Sequence, residues 1–153
     1  MKKIFFLYCL FALSLGSCSK DKGCKTVEPQ SEEPQILAFA SANGITNPYK
    51  HNSGIYYEIV SPGTGPMPTA NSVVTVNYTG KLLNGTTFNK STAPVQFPLA
   101  EVIEGWQIGI PLVKKGGTIK LIIPSAYAYG CNGKDGIPPN AVLYFEVDLL
   151  NVQ

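Results

Sequence analysis

From Gly54 onward the chain alternates apolar and polar positions in short runs broken by turn residues, the two-residue period of β-strands. Ile55 to Val60 is the first run, closed by Ser61-Pro62-Gly63-Thr64-Gly65, and Ser72 to Leu82 is the second. Leu83-Asn84-Gly85-Thr86 then supplies an Asn-Gly hairpin turn, and Thr87-Phe88-Asn89 starts the return strand. Val95, Phe97 and Leu99 alternate in a further short strand. Lys115-Gly116-Gly117 turns into Thr118 to Ile123, and Val142 to Leu150 is the last strand, with Leu143, Phe145, Val147 and Leu149 on its buried face. One stretch breaks this period. Val102, Trp106 and Ile110 stand four apart, which places them on one face of a helix. Gly105 and Gly109 fall inside it, and each costs roughly 1 kcal/mol relative to Ala. So short a helix is marginal alone, so packing must hold it. The short connections favour antiparallel pairing. The expected fold is α+β, a curled antiparallel β-sheet wrapped around one short helix.

The pattern upstream is different. Met1-Lys2-Lys3 is a charged start, and Ile4 to Leu15 is apolar but too short to span a bilayer. Residues 1–17 read as a secretory signal peptide. Leu15-Gly16-Ser17-Cys18 resembles the lipobox of bacterial lipoproteins, in which cleavage precedes the cysteine and its thiol and new amine are acylated. Cys18 is then a lipid attachment site that ties the chain to a bilayer. Residues 18–53 read as a lipidated tether with a short helix, ahead of a domain at 54–153. Ser19 to Gln30 is polar and is expected to be disordered. Ser31 can N-cap the helix, with Glu32, Glu33 and Pro34 in its first turn. Ile36, Leu37, Phe39 and Ala40 give it an apolar face, and Gly44 can stop it. Asn47 to Ser53 is turn-forming.

Composition removes several function classes. All 12 basic residues are Lys, and loss of Lys2 and Lys3 with the leader leaves 10 against 10 Asp and Glu. Such a balance steers neither nucleic acid nor anionic lipid, so no nucleic-acid partner is expected. Cys9 leaves with the leader and Cys18 is acylated, so Cys24 and Cys131 remain. Neither has metal-ligand spacing, and His51, the one His, is expected on a solvent-facing loop; no metal site is predicted. Cys24 and Cys131 are expected to be free thiols, a disulfide between them being the less favoured alternative. Glu101 and Glu104 stand three apart, a spacing that can serve acid/base work but more often marks a solvated face. No Ser-His-Asp set and no phosphate-binding Gly loop is present. What stands out is aromatic: Tyr78, Phe88, Phe97, Trp106, Tyr127, Tyr129 and Phe145 lie on separate elements that could converge. From its own surroundings Trp106 is either a pocket floor or the largest core residue, with the core reading favoured. The irregular stretch Gly130 to Asn140, holding Gly133, Gly136, Pro138 and Pro139, opens directly after Tyr129 and suits a functional loop.

The order of motifs is specific. Val76-Asn77-Tyr78-Thr79-Gly80, Phe88, Val102-Ile103-Glu104-Gly105-Trp106, Ala126-Tyr127-Ala128-Tyr129-Gly130, Ile137-Pro138-Pro139-Asn140-Ala141 and Leu143 to Leu149 follow one another across nearly the whole of Gly54 to Val152. In that order and spacing the chain resembles an FKBP-type peptidyl-prolyl cis-trans isomerase. Ala42-Asn43-Gly44-Ile45 and Gly54-Ile55-Tyr56-Tyr57 are similar to lipoprotein members of that family.

The resemblance implies a proline pocket of Tyr78, Phe88, Phe97, Val102, Ile103, Trp106, Ile137 and Phe145, with Trp106 as its floor. It puts the Ile103 N–H and the Tyr129 hydroxyl on substrate carbonyls, and makes Tyr127 a structural neighbour. Two positions depart from the family pattern: Asn89 stands where an Asp usually follows the pocket Phe, and Val95 where an aromatic often lines the rim. An Asn there could still accept a hydrogen bond from the Tyr78 hydroxyl. The implied function is rotation of Xaa-Pro bonds in exported proteins, without a cofactor, by a chain lipid-anchored to the bacterial cell envelope on its periplasmic side or at the cell surface. The implied ligands are proline-containing polypeptides, unfolded exported proteins and macrolides. A low-activity proline-peptide binding module or chaperone is the alternative.

Overall fold

The computed structural model describes residues 23–153, so the stretch read as a signal peptide, 1–17, and Cys18, read as a lipid attachment site, lie outside the described residues. The elements are α1 (Pro29–Ala42), β1 (Tyr49–Lys50), β2 (Tyr56–Ser61), β3 (Val73–Leu82), β4 (Thr87–Lys90), β5 (Val95–Pro98), α2 (Glu104–Gly109), β6 (Thr118–Ile123) and β7 (Leu143–Val152). Short 3₁₀ turns at Leu99–Glu101 and Ile110–Leu112 flank α2, and two more, Ser125–Tyr127 and Gly130–Asn132, follow β6.

The seven strands make one antiparallel sheet in the order β1-β2-β6-β7-β3-β4, with β5 sharing the outer edge of β3. Alternation sorts the side chains between two faces. Val74 and Val76 on β3, Ile119, Leu121 and Ile123 on β6, and Leu143, Phe145, Val147 and Leu149 on β7 all point to the face that α2 covers. Ile122 and Tyr144, one register step away, point to the opposite face. The expected α+β class, one curled sheet around a short helix, is the fold observed.

α2 is shorter than its apolar spacing suggests. Val102 is extended at φ −90°, ψ 172°, Ile103 is the N-cap, and Ile110 begins the following 3₁₀ turn. The three residues spaced four apart therefore sit on three different local structures. The two glycines explain why the helix survives. A Cβ on Gly105 would stand 2.4 Å from Ile123 Cγ2, and one on Gly109 would stand 2.5 Å from Leu121 Cδ2. Both glycines let the helix backbone rest directly on β6.

α1 packs on the other face of the sheet through Ile36, Phe39 and Ala40, with the Phe39 and Tyr144 ring centroids 5.2 Å apart. It starts two residues before Ser31, because Pro29 takes the first helical position, where a missing N–H costs nothing. Ser31 Oγ donates to Glu28 O at 2.7 Å instead of capping, and Pro34 falls inside the helix. Leu37, expected on the apolar face, is 43% exposed. Gly44, at φ 69°, stops the helix, and Ile45 N–H returns to Ala40 O at 2.9 Å. Glu33 then holds the β1–β2 edge, accepting from Lys50 Nζ at 2.8 Å and from the Tyr56 hydroxyl. β1 itself lies within the stretch read as a turn; two residues are too few to show a period.

The polar lead-in also differs from expectation. Cys24 and Cys131 form a disulfide, with Cα atoms 5.5 Å apart, so they are not free thiols. The reason is tertiary. Docking of α1 behind the sheet brings the residues before it to the loop that follows β6. His51 is half-buried in its turn, where Nδ1 accepts from the Ser53 N–H at 3.1 Å.

Candidate functional site

A cavity of about 310 Å³ opens between α2, the β3–β4 ribbon and the loop after β6. Its floor is Trp106, 4% exposed, which sits against three other rings edge-to-face: Tyr78 at 5.2 Å, Phe145 at 5.3 Å and Phe97 at 5.8 Å between centroids. Such contacts suit the ring quadrupoles and fix the orientation of each ring. Phe88 meets Phe145 in the same way at 5.6 Å. Gly80 makes this corner, since a Cβ there would lie 2.7 Å from Phe88 and 2.8 Å from Phe145. Alternation along β3 thus delivers Tyr78 as wall and Gly80 as clearance to the same face.

Few polar groups interrupt the apolar wall. Ile103 lines the cavity, and its N–H has no hydrogen-bond partner among the described residues, while its carbonyl accepts from Trp106 N at 2.9 Å. The turn that presents it is fixed by Gln107, whose Nε2 donates to Val102 O at 2.8 Å. Sequence reasoning missed Gln107, because a side chain that reaches five residues back leaves no periodic signal. Tyr129 and Tyr78 both line the cavity. Burial first, and then the Tyr129 phenol, pushes the Tyr78 hydroxyl above its usual pKa, so it remains a neutral donor at physiological pH.

Of the residues singled out from sequence, Tyr78, Phe88, Asn89, Phe97, Val102, Ile103, Trp106, Tyr129 and Phe145 come together around this cavity. Val95 and Ile137 do not. Val95 pairs with Val76 on β5, two positions beyond Phe97 and so about 7 Å farther along the strand, where its short side chain misses the rim. Ile137, bridged to Lys134, is 6% exposed and packs in the same core cluster as Trp106 and Phe145, behind the lining. Asn89 is on the wall, but no hydrogen bond joins it to the Tyr78 hydroxyl among the described residues, and the two remain separate polar groups on the lining. Lys134, with Nζ 5.1 Å from the Tyr129 ring centroid, and exposed Glu101 complete the rim; neither was read from sequence as part of the site.

A second, wider depression of about 430 Å³ lies on the outer face of β3, β6 and β7, lined by Asn77, Thr79, Thr118, Glu146 and Asp148. It has no apolar floor, and Thr118 already donates to Asp148 at 2.7 Å. The aromatic cavity is the one whose chemistry is distinctive. It offers a surface of packed aromatic rings to a compact apolar group, with a free backbone donor and two phenols on its lining. Such a site disfavours a polar planar amide more than a twisted one, since twisting breaks amide resonance and reduces charge separation.

Comparison with known proteins points the same way. A family profile described as FKBP-type peptidyl-prolyl cis-trans isomerase matches residues 65–150. The FKBP-type peptidyl-prolyl cis-trans isomerase FkpA of Escherichia coli is 42% identical over 118 residues, covering 75% of this chain and 43% of that protein. A probable FKBP-type isomerase of Haemophilus influenzae is 45% identical over 142 residues, covering 90% of this chain and 58% of the relative. The chain thus spans about half the length of the curated relatives it matches. The crystal structure of a peptidyl-prolyl cis-trans isomerase from Pseudomonas syringae superposes with a TM-score of 0.71 at 34% identity, covering 86% of this chain and 99% of that one.

Proposed function

The chain belongs to the FKBP-type peptidyl-prolyl cis-trans isomerase family, and from that premise we propose that it catalyses rotation about Xaa-Pro bonds in polypeptides. The observation that carries this reading is the Trp106-floored cavity with the unpartnered Ile103 N–H on its wall. The uncatalysed barrier is about 18–20 kcal/mol. In this reading the proline ring rests on Trp106 inside the ring of aromatics, and the Ile103 N–H and Tyr129 hydroxyl hold the carbonyls on either side. Binding energy that is realised only when the amide is twisted lowers the barrier. No proton is moved and no covalent bond forms. Residues 54–153 are the catalytic unit, and macrolides would compete for the same cavity. Trp106 is the one Trp of the chain, which makes its emission a direct probe. A saturable change in fluorescence with a Xaa-Pro peptide, absent with a Xaa-Ala peptide, is expected; equal response to both peptides would remove the proline site.

We also propose that residues 1–17 are a signal peptide and that Cys18 is acylated, with residues 18–53 as the lead-in from the membrane. The protein would then act on unfolded exported proteins at the cell envelope, periplasmic side or surface. The Lys2-Lys3 start, the apolar run and the Leu15-Gly16-Ser17-Cys18 junction support this. Among the described residues no helix is long and apolar enough to cross a membrane. Cys18→Ala should abolish labelling by a fatty-acid analogue in the native host, and undiminished label would end the anchoring proposal.

A further inference from the structure

Residues 125–131 carry Tyr129 to the cavity, and both ends of that segment are fastened to the stretch that precedes and opens α1. At one end the Ser125 N–H donates to Glu32 Oε2 at 2.8 Å, across 93 positions of sequence. Glu32 is 2% exposed and Ser125 is fully buried. At the other end Cys131 is bonded to Cys24. Between these ties the backbone is irregular. Ala128 lies at φ −120°, ψ −111°, and Gly130 at φ 54°. Tyr127 and Ala128 make only local turn bonds, to Pro124 O and Ser125 O at 3.0 Å each. Tyr129 O accepts from Gly133 N at 3.2 Å and Gly130 O from Asn140 N at 2.8 Å, bonds within the loop that hold its C-terminal half but leave its junction with β6 to Ser125.

Glu32 occupies the α1 face that also carries Ile36, Phe39 and Ala40, one turn before Ile36. An apolar residue would serve helix packing at least as well there, because a buried carboxylate is costly. What the carboxylate adds is an acceptor for a buried backbone donor that would otherwise be unsatisfied. We propose that Glu32 is a positioning residue for Tyr129: by holding Ser125 it sets where the Tyr129 hydroxyl stands over the cavity, while the Cys24–Cys131 bond closes the far end of the segment. This deepens the isomerase reading and rests on Tyr129 contacting the substrate.

The test uses the full chain, with kcat and KM measured on a Xaa-Pro peptide at a temperature where thermal melts show every variant folded. Glu32→Ala should lower kcat/KM between about twofold and tenfold, the loss expected for one hydrogen bond. Glu32→Gln, whose amide oxygen still accepts, should restore most of the rate. In a Tyr129→Phe background Glu32→Ala should cost nothing further, because both changes act through one hydroxyl. An equal loss in both backgrounds, or no loss in either, would overturn the proposal. If Glu32→Ala does not fold, Glu32→Asp, which keeps the charge but falls short of Ser125, takes its place with the same expectations. A second readout does not depend on activity. With ¹³C-labelled tyrosine, the Tyr129 ring resonances should move in Glu32→Ala and in Cys24→Ser/Cys131→Ser but stay in place in Glu32→Gln. Unmoved Tyr129 resonances would refute positioning even in an active enzyme. If the wild type proves inactive, the isomerase reading falls while this readout still decides the role of Glu32.

Discussion

Trp106 holds the site together at the residue scale, because its three edge-to-face contacts come from β3, β5 and β7 and meet on one ring. Asn89 is the wall residue whose chemistry is most open to change. It is exposed, on β4, and leaves the Tyr78 hydroxyl without a partner among the described residues. An Asp at this position would add a negative charge to a wall that faces the amide as its charge separation collapses. Asn89→Asp should therefore raise kcat/KM by up to about tenfold, or roughly 1.4 kcal/mol, with macrolide affinity nearly unchanged. An unchanged rate with the fold intact would remove Asn89 from the residues that set catalysis. Most of the cavity was legible in the sequence through the ordered motifs that resemble the family; strand alternation by itself accounts only for rings such as Tyr78 and Phe145, not for Trp106 on α2 or Tyr129 on the loop. That Val95 stands farther along β5 than Phe97, and that Ile137 is drawn into the core behind the lining, was not legible, because position along a strand and loop packing, not residue type, decide which side chains reach the cavity. Glu32 and Gln107 were illegible for a related reason: their partners are chosen by how elements dock.

At the scale of elements, α2 depends on close approach more than on propensity. Gly105→Ala gains about 1 kcal/mol of helix propensity. It also drives a methyl to 2.4 Å from Ile123, which is fully buried. Overpacking of that kind costs about 1–3 kcal/mol, which offsets or exceeds the propensity gain, so the variant should be no more stable than wild type and up to about 2 kcal/mol less stable, read from its denaturant midpoint. A more stable variant would show that α2 can lift off β6 freely. These contacts also explain why the period read from sequence overstated the helix. Val102 and Ile110 share the apolar spacing, but the glycines and 3₁₀ turns bend the chain around a six-residue core. β6, by contrast, was read to its exact ends, Thr118 and Ile123, because alternation and a Gly-Gly turn coincide there. The α1–β1 edge has its own pH signature. Hydrogen bonds from Lys50 and then Tyr56 hold Glu33 below the usual carboxylate range. Its folded pKa is depressed, so its contribution is present above the unfolded value of 4.5 and is lost as pH falls through the folded one. The Tm gap between wild type and Glu33→Gln should be constant near neutrality and close on acidification; a gap that widens in acid would contradict the pair.

For the whole molecule, the sheet separates two packed faces, one closed by α2 and the aromatic cavity and the other by α1. The Cys24–Cys131 bond joins these two sides across 107 positions. Closing so long a loop restricts the unfolded chain, and its loss typically costs about 2–5 kcal/mol. Cys24→Ser/Cys131→Ser should lower the denaturant midpoint accordingly; an unchanged midpoint would mean that the lead-in contributes nothing to the fold. The pairing was not legible because the sequence shows a polar lead-in and an irregular loop, and only the docking of α1 brings them together. The central claim is that the aromatic cavity catalyses rotation about Xaa-Pro bonds. Its most direct test is the cis-to-trans rate of a short Xaa-Pro peptide with wild type and with Trp106→Ala, at a temperature where both are folded. Trp106→Ala leaves a void costing about 3–5 kcal/mol of stability, so a low temperature is required. The account predicts that wild type accelerates the reaction in proportion to enzyme concentration and that the variant retains a small fraction of that rate. A wild-type rate equal to the spontaneous one, or equal acceleration by both proteins, would contradict it.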